Sequence, residues 1–168
     1  MEADYFDSSP FIAIFKGEDR NEEIRELLRE LKRQRVRICT SIITVQEVSV
    51  LSYRLGTVAS DNYVRVNRLA RIEGLNKDVA LTAAKLEAQI LDRMKPRSKP
   101  EKEEDNKRRK WDCFHIATAM CLKCRVIYSL DRGMLARKIQ LQIRDLDFQL
   151  PKAKTLPLFL EGAEPKLT

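Results

Sequence analysis

The chain has 168 residues, of which 43% are hydrophobic and 34% are charged, a balance typical of a folded globular protein. This composition excludes fibrous and disordered chains, and the length is sufficient for one domain whose core needs neither disulfides nor a structural metal. No run approaches the roughly 20 apolar residues of a membrane-spanning helix, and the acids among the first twenty residues do not fit a signal peptide. We therefore expect a cytoplasmic protein, with no membrane association, whose four cysteines are reduced.

Basic residues outnumber acidic residues by 32 to 25, and the net charge of +7 favours polyanionic partners such as nucleic acid. Much of this excess lies in residues 95–110, which contain eight basic, four acidic and no hydrophobic residues. Because such a segment has little apolar surface to offset the entropy of ordering, we predict a flexible charged insertion. It acts either as a solvated spacer or as a basic arm that contacts phosphates.

Strand-like and helix-like patterns alternate along the chain. The predicted strands cover residues 3–6, 36–41, 71–75, 125–130 and 141–148. The first predicted helix begins at Pro10. The others cover about residues 22–35, 42–55, 61–69, 77–94, 112–122 and 134–138, with Asn21 as the cap of the second helix and Asn76 as the cap of the helix over 77–94. This alternation indicates an α/β fold, a central parallel sheet flanked by helices on both faces, in a single domain over residues 1–150. Three prolines mark residues 151–168 as a C-terminal tail.

Acidic residues follow several of the predicted strands. Asp7 and Asp131 come directly after strands, Glu47 lies in the helix entered from residues 36–41, and Asp112 opens a helix that starts at the same edge. Ligands of open parallel sheets bind at this carboxyl edge, and clustered carboxylates repel one another unless a divalent cation neutralises them. Each acid alone would be read as a helix cap, a turn residue or a solvated side chain, but together they predict an oxygen-lined site for Mg²⁺ or Mn²⁺.

Three stretches carry a family resemblance. YFDSSPFI is similar to the opening motif of PIN-domain nucleases, and ITVQEVSVL to their glutamate-bearing helix. WDCFHIATAMCLKCRVIYSLDRGM resembles their aspartate-led A-T-A helix followed by a strand that ends in Ser/Thr-x-Asp. The resemblance spans about residues 3–148, with acids at all four expected positions, and within the family the chain is most like the VapC-type toxins of toxin–antitoxin pairs.

The resemblance implies a PIN-like domain that hydrolyses RNA phosphodiester bonds with Mg²⁺ or Mn²⁺, one or two ions being left open. It implies that the metal ligands are Asp7, Asp112 and Asp131, with Glu47 either binding the ion or acting as a base. Supporting residues are expected to hydrogen-bond these acids or contact phosphate, each against an ordinary structural alternative; they are Ser9, Ser129, Arg132, His115 and Lys16. The implied partners are RNA and a cognate antitoxin protein, and a homodimer is left open.

Two other classes of function remain to be distinguished from a nuclease. One is a PIN-type module that binds RNA or a partner without cleaving, and the other is a receiver-like Mg²⁺-binding signalling domain. The intact set of four acids argues against the first, and the strand ending Ser129-Leu130-Asp131, where a receiver carries a lysine, argues against the second. Cys121 and Cys124 have the spacing of half a zinc site, but the chain has no second pair.

Overall fold

A computed structural model of the chain describes residues 2–54, 56, 58–93 and 99–152, and within these residues it has five strands and seven helices. The strands are β1 (Ala3–Phe6), β2 (Arg37–Ser41), β3 (Arg71–Glu73), β4 (Val126–Tyr128) and β5 (Asp147–Gln149). The helices are α1 (Ser8–Lys16), α2 (Asn21–Arg33), α3 (Ile42–Arg54), α4 (Ser60–Leu69), α5 (Lys77–Arg93), α6 (Lys99–Cys121) and α7 (Arg132–Leu141).

The strands form one sheet in the order β3-β2-β1-β4-β5, and every neighbouring pair is parallel. In the register of the central strand, Tyr5 lies opposite Cys39 on one side and Ile127 on the other. Successive residues of β1 point to opposite faces: Tyr5 packs in a cluster with α5, α6 and α7, and Phe6 packs in a second cluster with α1 to α4. The predicted α/β fold is confirmed, and all five carboxyl ends lie at one edge.

Most helices follow the sequence pattern closely. α2 buries Ile24, Leu27, Leu28 and Leu31 at helical spacing, with acids in its first turn and bases in its last, as the helix dipole favours. Asn76 accepts the Val79 N–H at 2.9 Å and so caps α5, as predicted. Asn21, in contrast, is the first residue of α2 rather than its cap, and its side chain accepts a hydrogen bond from Arg25.

The structure differs from the prediction of a flexible insertion at 95–110. Residues 99–110 are the first three turns of α6, and residues 95–98 lie outside the described part of the chain. The segment is rich in Glu, Lys and Arg, which are good helix formers, and its four acids, all within 101–105, precede the four bases of 107–110. The buried Arg109 pairs with Glu87 of α5 at 3.1 Å, which holds these turns against the rest of the protein. Asp112 consequently lies inside a helix and does not open one.

The C-terminal region also differs in detail from its prediction. Residues 132–141 are one helix, and the final strand is confined to Asp147–Gln149 instead of beginning at residue 141. The greater part of the predicted tail, residues 153–168, lies outside the described residues. None of the described helices combines the length and apolar character that crossing a membrane requires.

Candidate functional site

A cavity of about 180 Å³ lies at the carboxyl edge of the sheet and is lined by side chains from α1, α3, α6 and α7 and the turns that precede them. The structure brings all four predicted acids to this cavity, namely Asp7, Glu47, Asp112 and Asp131. Its remaining lining residues are Ser8, Ser9, Arg108, Trp111, His115 and Met134. All four acids thus lie at the carboxyl edge of the sheet, where the rule for parallel sheets predicts a ligand site.

Asp7 follows β1 directly and caps α1. Its carboxylate accepts the Ser9 N–H at 3.0 Å and the Ser9 hydroxyl at 2.7 Å. Burial raises the pKa of this carboxyl to about 6, although the charge of His115 and hydrogen bonds from Ser129 and Ser9 act in the opposite direction. The site therefore destabilises the ionised form of Asp7, and a nearby positive charge would favour it.

Asp131 caps α7 by accepting the Gly133 N–H at 2.7 Å. The Ser129 hydroxyl accepts the Asp131 N–H at 2.9 Å, and the Ser9 hydroxyl accepts the Leu130 N–H at 2.8 Å. The two serine oxygens are 3.3 Å apart, which joins the turn after β1 to the turn after β4. The predicted serines therefore hold the turns that carry Asp7 and Asp131, through the hydrogen bonds of ordinary turn chemistry.

Asp112 lies one helical turn before His115 on α6, and its carboxylate accepts a 3.0 Å hydrogen bond from Arg137 Nε. Burial raises the pKa of Asp112, and Arg137 offsets this effect only in part. Arg137 was not among the predicted site residues. A signal existed, because Met134, Arg137 and Leu141 form the buried stripe of α7 at helical spacing, and a buried arginine requires an acidic partner.

Glu47 reaches the cavity from α3 and contacts the buried His115. His115 Nε2 is 3.2 Å from Glu47 Oε2, and His115 Nδ1 is 2.7 Å from the Tyr5 hydroxyl. Burial alone would lower the pKa of His115, but the hydrogen bond and charge of Glu47 outweigh it and raise the pKa. Burial of Glu47 acts to raise its pKa, and His115 reverses that effect and lowers it. With Glu47 ionised, Nε2 carries the proton and the imidazole orients the carboxylate.

The oxygen donors that line the cavity are of the type that binds hard divalent cations. Four carboxylates and neighbouring serine hydroxyls supply only oxygen ligands, the type that Mg²⁺ and Mn²⁺ prefer. Within the described residues Asp7 forms no ion pair with a lysine or arginine, and the charge of His115 offsets the effect of its burial only in part. As the side chains stand, however, no three acidic, histidine or cysteine side chains in the described ranges lie close enough together to hold an ion. Arg137 and His115 engage two of the four acids.

The two basic residues predicted to meet phosphate do not line the cavity. Arg132 is exposed at the start of α7 beside Asp131. Lys16 lies at the far end of α1 and pairs with Glu18 at 3.5 Å. Arg108 and Trp111 line the cavity instead. Neither residue was predicted individually: Arg108 lay in the segment expected to be either a flexible spacer or a basic arm that contacts phosphates, and Trp111 was placed before the start of a helix.

Comparison with solved structures finds the same fold in bacterial toxins. VapBC-1 of nontypeable Haemophilus influenzae matches with a TM-score of 0.59 and 15% identity, over 89% of this chain and 98% of that chain. A toxin–antitoxin complex of Klebsiella pneumoniae matches with a TM-score of 0.56 and 16% identity, over 88% and 96%. VapC20 of Mycobacterium tuberculosis, described as a sarcin–ricin loop cleaving toxin, matches with a TM-score of 0.54 and 18% identity, over 79% and 93%.

Two sequence comparisons gave different results. The search of curated proteins found no match to the chain, whereas the search of family models found one. The sheet order β3-β2-β1-β4-β5 also differs from the 2-1-3-4-5 order of receiver domains, which removes that alternative. The family model of the PIN domain matches residues 5–139, the greater part of the chain and all four cavity acids. The chain therefore belongs to the PIN domain family.

Proposed function

We propose that the protein is a VapC-like ribonuclease toxin that hydrolyses RNA phosphodiester bonds with Mg²⁺ or Mn²⁺. The observation that carries this proposal is the arrival of four acids, from four separate parts of the chain, in one cavity at the carboxyl edge of the sheet. Membership of the PIN family supports a nuclease, and the similarity of fold to an RNA-cleaving toxin supports RNA as the substrate.

Asp7, Asp112 and Asp131 would hold the cation, with Glu47 beside them. A bound divalent cation supplies positive charge, which lowers the pKa of water and offsets charge on the phosphate oxygens. The raised pKa values of Asp7 and Asp112 support this assignment, because both carboxylates are buried with too little positive charge around them.

Glu47 is the residue that we assign to accept a proton from the attacking water. It is the cavity acid whose pKa is lowered, so it is ionised at neutral pH and available as a base. A chain of two hydrogen bonds, from the Tyr5 hydroxyl through the His115 imidazole, holds its carboxylate in place. Hydrogen bonds of Ser9 and Ser129 hold the turns that carry Asp7 and Asp131.

An antitoxin is the protein partner that we propose, and the cytoplasm is the proposed location. The Haemophilus and Klebsiella structures with the same fold are toxin–antitoxin proteins. Co-expression with the product of the adjacent reading frame tests the assignment, since a cognate antitoxin should co-purify and inhibit cleavage. An adjacent product that neither binds nor inhibits would contradict it. The question of a homodimer is settled separately by the mass of the purified protein in solution.

A binding module without cleavage is the second candidate function. It is favoured by a specific observation, because Asp112 is engaged by Arg137 and Glu47 by His115, and the described acids do not converge on one point. Such a module would bind RNA with the same affinity in Mg²⁺ and in EDTA and would leave it intact.

Cleavage of a labelled RNA separates the two candidates. The substrate is a 5′-labelled RNA hairpin with an unpaired loop, incubated with the purified protein in Mg²⁺, in Mn²⁺ and in EDTA. We expect cleavage with either ion and none in EDTA, and we expect Asp7→Asn to abolish it. Cleavage that survives EDTA, or that Asp7→Asn retains in full, would show a contaminating nuclease or a different mechanism.

A further inference from the structure

One stripe of α6 forms a wall of the cavity. It consists of Arg108, Trp111, Asp112 and His115, which are spaced at i, i+3, i+4 and i+7 and therefore lie on one face of the helix. Exposure falls along the stripe: Arg108 is exposed, Trp111 is 41% exposed, Asp112 is 7% exposed and His115 is 2% exposed. The stripe thus runs from the mouth of the cavity to its floor over about 10 Å of helix. Its outer half, Arg108 and Trp111, has no role in the site described above.

Trp111 is the only tryptophan of the chain and is partly exposed to solvent beside buried acids. Its ring packs against the ring of Phe114, with the two ring centroids 6.2 Å apart and the ring planes at 41°. Phe114 in turn packs against the hydrophobic core. The indole is therefore supported from one side and accessible from another. An aromatic ring that is fixed in place and partly exposed at the mouth of a polar cavity is suited to stacking.

Arg108 lies one turn farther from the floor than Trp111, on the same face of α6. The helix is held firmly at this point, because Arg109 on the adjacent face is 4% exposed and pairs with Glu87 of α5. The Arg108 guanidinium and the Trp111 indole therefore lie one helical turn apart on the same face, at the outer end of the cavity that holds the carboxylates. Proteins that bind single-stranded nucleic acids combine an aromatic ring that stacks on a base with a neighbouring positive charge that contacts the phosphate backbone.

We propose that Trp111 stacks on an unpaired nucleobase beside the scissile phosphate and that Arg108 contacts the adjoining phosphate. The proposal rests on the proposed function and assigns to these two residues the positioning of RNA that is unpaired at the cleavage site. A base within a duplex is stacked on both faces, so the indole can cover only a base that is unpaired or turned out. Specificity for looped or single-stranded RNA would then reside in the outer half of the stripe, and cleavage in the inner half.

The single tryptophan provides a direct test. In an Asp131→Asn background, which prevents cleavage, the protein is titrated with a 12-nucleotide RNA without self-complementarity and with the same RNA annealed to its complement. We expect the single strand to quench tryptophan fluorescence and to bind more tightly than the duplex. Affinities of the wild type and all variants are compared by the anisotropy of a 5′-labelled RNA, because the Trp111 variants lack the fluorescent indole. Trp111→Leu should weaken single-strand binding about tenfold, and Trp111→Phe, which keeps a ring, should retain most of it.

Matched variants separate stacking from general effects. Tyr63→Leu removes another exposed aromatic ring, on α4 and outside the cavity lining, and should leave RNA affinity unchanged. Arg108→Gln should reduce the slope of log affinity against log salt by about 0.7, the value for one phosphate contact on a single strand. A melting scan of each variant identifies any loss of affinity that reflects unfolding. Trp111→Phe keeps an aromatic ring at this position if Trp111→Leu does not fold.

The outcomes distinguish this proposal from the proposed function. If the wild-type protein cleaves single-stranded RNA but Trp111→Leu cleaves and binds it equally well, the stacking proposal is wrong and the nuclease assignment stands. If neither single strand nor duplex is bound or cleaved, the proposed function fails and the stacking proposal fails with it. Quenching by a co-purifying antitoxin but not by RNA would assign Trp111 to a protein partner and would also overturn the proposal.

Discussion

Two buried aspartates lie at opposite ends of β1 in contrasting surroundings. Asp4 is 1% exposed and Asp7 is 3% exposed. Arg125 binds both oxygens of Asp4, at 3.0 Å and 3.1 Å, and also contacts Glu2. Asp7 is held by serines and, within the described ranges, forms no ion pair with a lysine or arginine. A buried acid with its own arginine is compensated within the fold, whereas for Asp7 we propose compensation by a bound cation.

The largest expected effect of this difference is on catalysis. Asp7→Asn should lower the rate of RNA cleavage by a factor on the order of 10³, because it removes a charge from the proposed cation site. Asp4→Asn should leave the rate per folded molecule unchanged. Both are measured with the labelled hairpin, after the folded fraction has been determined by circular dichroism. Equal losses in the two variants would show that Asp7 acts through the fold.

The second effect is on stability at the other end of the strand. Arg125→Met should lower the free energy of unfolding by about 3 kcal/mol, because it leaves the Asp4 carboxylate buried and unpaired. Arg29→Met, which removes an exposed arginine from surface pairs on α2, is the control and should change little. Urea unfolding of both variants gives the comparison. A loss at Arg125 no greater than at Arg29 would mean that Asp4 finds another partner.

The third effect concerns the pH dependence of the metal-free protein. The pKa of Asp7 is about 6, above its ordinary value of 3.8, so the folded state disfavours the ionised carboxylate and loses stability as the pH rises through 6. In EDTA at pH 8, Asp7→Asn should therefore raise the free energy of unfolding by about 2 kcal/mol. The gain should disappear near pH 4, where the wild-type carboxyl is protonated in the folded protein. A gain that persists unchanged at pH 4 would exclude this electrostatic cause.

The smallest effect is the stabilisation that the cation itself confers. Mg²⁺ at ten times its dissociation constant should stabilise the wild-type protein by about 1.4 kcal/mol and raise the Tm accordingly. Asp4→Asn should show the same increase, and Asp7→Asn should show none. Equal increases in wild type and Asp7→Asn would place the bound ion elsewhere on the protein.

The sequence predicts those parts of the molecule that depend on local pattern and on the rule for sheet edges. The alternation of apolar and polar residues in α2 and the turn residues after β1 and β4 are local signals, and Asp7 and Asp131 follow from them. Asp7 and Asp131 lie near each other because parallel strands bring their carboxyl ends to one edge, whereas Glu47 and Asp112 reach this edge from within α3 and α6. The positions of Asp7 and Asp131 therefore do not depend on how the helices pack.

Features that depend on packing were not predicted. The outer turns of α6 carry no hydrophobic residue up to Lys110, and what holds them is the pairing of Arg109 with Glu87, 22 residues earlier. The contacts of Arg137 with Asp112 and of His115 with Tyr5 likewise join residues far apart in the sequence. Their partners are set by the relative positions of helices and strands, which periodicity within one segment does not specify.

The central position of β1 has a consequence for the order in which the protein acquires its activity. Tyr5 pairs with Cys39 but also with Ile127, a separation of most of the chain, so the two halves of the sheet close only after β4 exists. A nascent chain extending to the end of α5 carries Asp7 and Glu47 but neither Asp112 nor Asp131. Because synthesis proceeds from the N-terminus, such an intermediate has half of the proposed site and cannot cut RNA. With this topology, the proposed activity would begin only when translation of the domain is nearly complete.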